Sequence, residues 1–357
     1  MGVPWNNLLP SAVVVADVQR RLAHLIEQQH IPGLSVALIR NGALDWSRGF
    51  GVKRAGADDP VTAATVFEAG SLSKPIFAYA VLRLCESGAL DLDTPLANYL
   101  AEPYLPDEPL LGRITARHVL AHTSGFPNWR PEGGTLRVHF EPGTRFSYSG
   151  AAYVYLQTVV EHLIGEPLAE HARRTIFEPF EMSHSSFVWS VDEQARGADG
   201  HSEAGKPRRK RYDDTANAAY TLHTTAEDFA RFIIKLLSPG ASDTGLPTLE
   251  AMLQPQVAVN DLAPWHKDWP GGAVETREDV FWGLGWGLQR DGNHESFWHW
   301  GDNHDFTSFA VASPQLRTGV VLMANSPNGR LIWRAATRCA VGGEHPALDW
   351  LDRVYEE

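Results

Sequence analysis

Apolar positions recur at helical spacing over residues 12–30 (AVVVADVQRRLAHLIEQQH), which predicts an opening helix. Pro32-Gly33 ends it. The runs 34–40 (LSVALIR) and 43–51 (ALDWSRGFG) flank Asn41-Gly42, a tight-turn dipeptide, so two strands joined by a hairpin follow. The middle of the chain changes period. Helices are predicted over 71–88, 114–122, 149–164, 167–177 and 225–237, the last opened by Thr225 with Asp228 in the capping position. The end returns to β-branched and aromatic runs punctuated by turn residues. Strands are predicted at 280–290, 296–301, 305–313 and 317–325, then a final helix at about 329–341.

This order implies an α+β chain whose two ends build one sheet. Residues 12–60 and 240–345 form a discontinuous sheet-plus-helix subdomain, 61–239 a mainly helical one, and 346–357 a C-terminal tail. The whole is one catalytic unit with its site in the cleft between the parts. The polar, basic stretch 201–213 (HSEAGKPRRKRYD) reads as a solvated loop.

Composition narrows the function. The chain has 357 residues, 43% of them hydrophobic, so it can bury a sizeable core. A net charge of −12 argues against a nucleic-acid partner and for a small-molecule one. No apolar run is long enough to span a bilayer, and the first residues lack a basic leader pattern. With Met1 as the native start the protein is expected in the cytoplasm; with a leader removed, in the periplasm or outside the cell. Cys85 and Cys339 form no C-x-x-C pair, which speaks against zinc or redox chemistry, and burial in the core is the simpler reading. The sequence leaves the oligomeric state open.

Three stretches carry candidate chemistry. In FEAGSLSKPI (67–76), Pro75 places a helix start near residue 71, so Ser71 sits at its mouth with Lys74 one turn along. A serine needs a base, and a lysine becomes one only if its pKa is lowered. In FSYSGAAY (146–153), Tyr148 stands at a helix start, where a phenol beside a lysine can relay protons. In WHWGDNH (298–304), His299 and Gly301 lie on a strand, and glycine there lets a backbone approach a ligand. The pattern S-x-x-K alone turns up about once by chance in a chain this long. The three in this order are far more specific.

Together with VLAHTSGF (119–126), EPGTRFSYSG (141–150), TTAEDFARF (224–232) and GLGWGL (283–288), these motifs resemble the serine β-lactamase and penicillin-binding-protein superfamily, in its class C-like branch. The resemblance spans about residues 12–340. It implies an antiparallel sheet flanked by helices plus a helical subdomain. It also implies Ser71 as an acylated nucleophile, Lys74 and Tyr148 as proton-handling partners, and His299 at the strand position. The backbone N–H groups of Ser71 and Asp302 are implied as the oxyanion hole. It implies no metal and no organic cofactor.

Two departures shape the expected substrate. Gly150 stands where many relatives have asparagine, and the strand carries His299-Trp300-Gly301 in place of lysine-threonine-glycine. Both point away from a dedicated β-lactamase and towards an esterase acting on esters or small amides. Trp300, Trp286, Trp129 and Phe126 are expected to line the cleft with Gly301 and Gly150. The alternatives are a D-amino-acid peptidase or D,D-carboxypeptidase, a weak β-lactamase, an acyltransferase, and a non-catalytic sensor or scaffold. A metal hydrolase built on His299, Asp302 and His304 is disfavoured, because a regular strand points residues 299 and 304 to opposite faces. Whether Lys74 or Tyr148 is the base stays open.

Overall fold

A computed structural model describes residues 11–208, 213–238, 248–260, 276–292 and 294–356. The opening reads as expected: helix α1 (Ser11–Gln28), then strands β1 (Gly33–Arg40) and β2 (Ala43–Gly51). Val14, Val18 and Leu22 make the buried stripe of α1, each one turn from the next. The middle holds β3 (Phe67–Gly70), α2 (Ser73–Glu86), α3 (Ala116–Leu120), α4 (Gly150–Ile164), α5 (Leu168–Ala172), β4 (Leu222–Thr224), α6 (Ala226–Leu237) and α7 (Thr248–Met252). The Thr225 hydroxyl accepts from Asp228 N, so the helix-start signal there is a real cap.

The last third brings β5 (Val257–Asn260), β6 (Thr276–Trp282), β7 (Gly287–Asp291), β8 (His294–Asp302), β9 (Thr307–Ser313), β10 (Thr318–Ala324), α8 (Trp333–Val341) and α9 (Pro346–Glu356). The single strand expected over 280–290 is two. Gly283 N donates to Trp286 O at 2.8 Å and Gly285 adopts φ +86, so the glycines turn the chain where a continuous strand was read. The segment 346–357 is not a tail: α9 buries Leu348, Trp350, Leu351 and Val354. The stretch 201–213 is only partly a solvated loop, and residues 209–212 lie outside the described ones. His201 is fully buried: its Nδ1 donates to Asn325 O at 2.9 Å while Nε2 accepts from Ala55 N at 3.0 Å.

An eight-stranded antiparallel sheet runs β2-β1-β10-β9-β8-β7-β6-β5, so the chain's two ends meet at the β1–β10 pairing. Alternation along the strands splits the core. Leu34, Val36, Leu38, Val320 and Leu322 pack with α1, α8 and α9, whereas Ala37, Ile39, Val321 and Met323 face α2, α4 and α6. This antiparallel sheet with a helical insertion is the architecture that the motif resemblance implies. Among the described residues, no helix is long and apolar enough to cross a membrane. Neither cysteine is in a disulfide; Cys339 is buried and Cys85 half-buried, the Cys85 thiol pushed up to about 12, mainly by burial.

Candidate active site

The short strand β3 delivers the chain to the site. Gly70 has φ +55, and a Cβ there would stand 2.9 Å from Asp302 N, so only glycine fits this crossing. Ser71 and Leu72 turn the chain, and α2 begins at Ser73, with Pro75 in its first turn where no N–H is needed. The Ser73 hydroxyl donates to Gly70 O at 2.7 Å and accepts from Leu222 N at 2.9 Å, which pins the turn to β4.

Lys74 is completely buried. Its Nζ lies 2.9 Å from Ser71 Oγ and 2.9 Å from Ala219 O. The amine also faces the Tyr148 ring at 4.7 Å and the Tyr153 ring at 5.5 Å. Burial with no carboxylate partner drives its pKa well below the ordinary lysine value. The same burial drives the Tyr148 phenol upward, against a weaker opposing pull from Ser71. Its hydroxyl is buried and meets no partner of good hydrogen-bond geometry. The site thus holds an amine whose pKa burial lowers and a phenol whose pKa burial raises, beside a half-buried serine.

His299 closes the floor. Nδ1 donates to Trp300 O at 2.7 Å, which leaves Nε2 as an unpartnered acceptor. A second buried histidine, His122, was not singled out from the sequence. Its Nδ1 accepts from Ser149 N at 3.0 Å, so Nε2 carries the proton, again unpartnered. It stacks on Tyr148 with ring centroids 4.2 Å apart and holds a left-handed φ of +55. Burial first, then the field of Lys74, lowers both histidines well below the usual value. The signal for His122 lay in the stretch AHTSGF: a histidine between an apolar helix end and a turn.

The end of β8 faces Ser71. Asn303 N donates to Phe306 O at 3.0 Å, and the register pairs Asp302 with Thr307. Alternation in an antiparallel pair then turns the Asp302 N–H away from β9 and towards Gly70. The Ser71 N–H has no backbone acceptor among the described residues. Gly301 serves the crossing of the strands: a Cβ there would lie 2.0 Å from Ala69 O. The close approach expected of it is made by β3.

Three expected cleft residues belong to the core. Trp286 is fully buried and stacks parallel to Phe232, and Phe126 is fully buried against Tyr155. Trp300 points from β8 to the α9 side, packing under Tyr148 at 4.7 Å and against Trp350 at 5.6 Å. Trp129 alone of the four tryptophan and phenylalanine candidates is exposed, at 45%. Its indole lies on Gly150, where a Cβ would come within 2.6 Å of Cη2, and meets Tyr220 edge-on at 5.7 Å. His299 is buried while His304 is exposed, so the two do not converge on a common site. A cavity of about 1340 Å³ lies elsewhere, between α1, α8 and α9, and none of the Ser71 cluster lines it.

Comparison with known proteins gives the chain a family. Esterase EstB of Burkholderia gladioli is 30% identical over 330 residues, 80% of this chain and 81% of that protein. Protein flp of Staphylococcus aureus (strain N315) is 23% identical over 332 residues, 87% of this chain, which spans only 62% of that protein's length. The crystal structure of D-alanine carboxypeptidase AmpC from Burkholderia cenocepacia superposes with a TM-score of 0.74 at 22% identity, covering 93% of this chain and 99% of that one. The family profile described as Beta-lactamase matches residues 18–338, and the chain belongs to that family of serine hydrolases.

Proposed function

We propose that the protein is a carboxylesterase that works through an acyl-enzyme on Ser71. The observation that carries this reading is the fully buried Lys74 amine 2.9 Å from Ser71 Oγ. Burial disfavours the charged form of this lysine and so frees its lone pair for the serine proton, which solvation does not do for an exposed lysine.

Lys74 takes the proton from Ser71 Oγ as that oxygen adds to the ester carbonyl. The carbonyl oxygen becomes an oxyanion between the N–H groups of Ser71 and Asp302, in a dry setting where fixed donors are most effective. Tyr148 gives its phenolic proton to the departing alcohol, and the protonated Lys74 restores it. The acyl group stays on Ser71. Water then adds to the acyl carbon, losing its proton through the same pair, and the carboxylic acid leaves as Ser71 regains its hydrogen. His299 and His122 are both neutral and aim no charge at Lys74, which keeps the amine a base.

Gly150 and Trp129 support an ester over an amide. No side chain at 150 is available to pair an amide, and an unpaired polar group would be left in its place. The indole there instead offers an apolar wall. EstB, an esterase by name, is among the relatives.

The test is hydrolysis of p-nitrophenyl esters from acetate to octanoate by the wild type and Ser71→Ala. Turnover should vanish in the variant, and the intact protein should gain the acyl mass on serine. Full turnover in Ser71→Ala would remove the assignment. Cleavage of D-aminoacyl amides in preference to every ester would keep the mechanism and replace the substrate class.

A further inference from the structure

The peptide that carries the Asp302 N–H is fastened on both flanks by side chains from distant elements. On one flank, Tyr355 Oη, in the last turn of α9, donates to Asp302 Oδ2 at 2.9 Å. The other carboxylate oxygen, Oδ1, accepts from His304 N at 2.8 Å and closes the turn beyond the strand, where His304 takes φ +62. The Tyr355 ring is held in place by the Arg330 guanidinium, 5.0 Å from its centroid.

On the other flank, Asn303 Nδ2 donates to Glu68 Oε2 at 3.1 Å and to Tyr220 O at 3.3 Å. Glu68 is a buried carboxylate on β3, in the strand that leads into Ser71. Tyr220 follows Ala219, whose carbonyl holds Lys74. One asparagine therefore ties the end of β8 to the strand before the serine and to the segment that anchors the lysine.

An oxyanion donor works only if it is already aimed, and a misplacement of about 1 Å can cost on the order of 100-fold in rate. The β8–β9 ladder holds one end of this planar peptide, the Gly301 carbonyl opposite Ser308, while the Asp302 N–H at its other end points out of the ladder. The side chains on its two flanks hold the Asp302 end, where the ladder gives way to the turn at 303–306. We propose that Tyr355 is a positioning residue for the oxyanion site, through which helix α9, on the far side of the sheet, sets the aim of the Asp302 N–H. Asn303 is the matching anchor on the substrate side. The inference rests on the reading of Asp302 N–H as an oxyanion donor.

The experiment compares wild type, Tyr355→Phe, Asp302→Ala and the double variant. The readouts are kcat and KM for p-nitrophenyl butyrate, Tm, and the affinity of phenylboronic acid. A boronic acid adds to a serine Oγ and becomes tetrahedral, placing an oxygen where the oxyanion stands. Phenylalanine keeps the ring, its place against Arg330 and the α9 packing. Tyr355→Phe should lower kcat about tenfold with KM nearly unchanged, and should weaken phenylboronic acid by a similar factor. In the Asp302→Ala background the exchange should have little further effect, because its acceptor is gone. Asn303→Ala should show the same split between kcat and KM.

Equal kcat and equal boronate affinity in Tyr355→Phe would overturn the proposal. So would a lowered Tm with boronate affinity unchanged, which is what packing alone predicts. Failure of the underlying reading looks different: phenylboronic acid would then not bind the wild type, or Ser71→Ala would turn over esters.

Discussion

Ser71 and Lys74 lie three residues apart at the mouth of one helix, and their contact is made within a single turn. The peptide proposed for the oxyanion, on the facing wall, is held by residues 235 and 53 positions away, in β3 and α9. The first wall is built by local backbone geometry and needs the rest of the protein chiefly for its burial. The second needs the sheet closed, β3 laid across it and the last helix docked before its N–H has a direction. Damage to the first should therefore hit chemistry with little harm to folding. Damage to the second should mix the two.

Lys74→Met is the strongest break in the local wall. Ester turnover should fall by about 10³-fold or more, since no base remains. Stability should rise, by about 1–2 kcal/mol, because a buried amine kept for function gives way to an apolar chain of similar length. The pH dependence carries the sign. Burial lowers the native pKa of Lys74, so the unfolded chain binds more protons from that lowered value up to about 10.4. Wild-type stability should rise with pH across this window, and Lys74→Met should flatten the rise. Urea melts of both proteins at several pH values between neutral and about 10 decide it.

Gly301→Ala is the corresponding break in the distant wall. Its Cβ would lie 2.0 Å from Ala69 O and 2.4 Å from Ser308 Oγ, so β3 must lift from β8. Activity should fall by about 100-fold. Here stability should fall too, by about 3 kcal/mol, as overpacking against backbone does. A variant that loses activity with an unchanged Tm would show that β3 yields more freely than its contacts suggest.

The smallest effect sharpens the comparison at the rim. Because many relatives carry asparagine at this position, Gly150→Asn would be expected to favour amides over esters. The structure changes that expectation, because the new side chain meets the Trp129 indole first. The single variant should lose about tenfold in ester turnover without gaining on amides. With Trp129→Ala in the same chain the space opens, and the ratio of amide to ester turnover should increase. An increased ratio in the single variant would mean that the indole moves aside unaided.

What was legible follows the same division. The period of apolar residues announced α1, the β1–β2 hairpin and α6, because each satisfies its hydrogen bonds within a short stretch. Pro75 placed the start of α2 to within a turn. The turn inside 280–290 was missed because its aromatic residues read as strand, while Gly283 and Gly285 decide the path. Helix α9 was missed because its value lies in Trp350 and Leu351 meeting the sheet, a long-range event. Trp286, Phe126 and Trp300 were placed in the cleft on residue type alone. Burial sorted them otherwise, since strand alternation sends Trp300 to the α9 side and His299 to Lys74.

The sequence by itself determined the chemistry on offer: a serine and a lysine at a helix mouth, a tyrosine at another, and a histidine and a glycine late in a strand. Those facts depend on short-range order, which a chain cannot easily disguise. Only the tertiary structure decided their state. It buried Lys74 until its charge became unfavourable, stacked His122 on Tyr148, laid Trp129 over Gly150 and turned the Asp302 N–H towards Gly70. Each outcome depends on which surfaces exclude water together, and residues far apart in the chain settle that jointly.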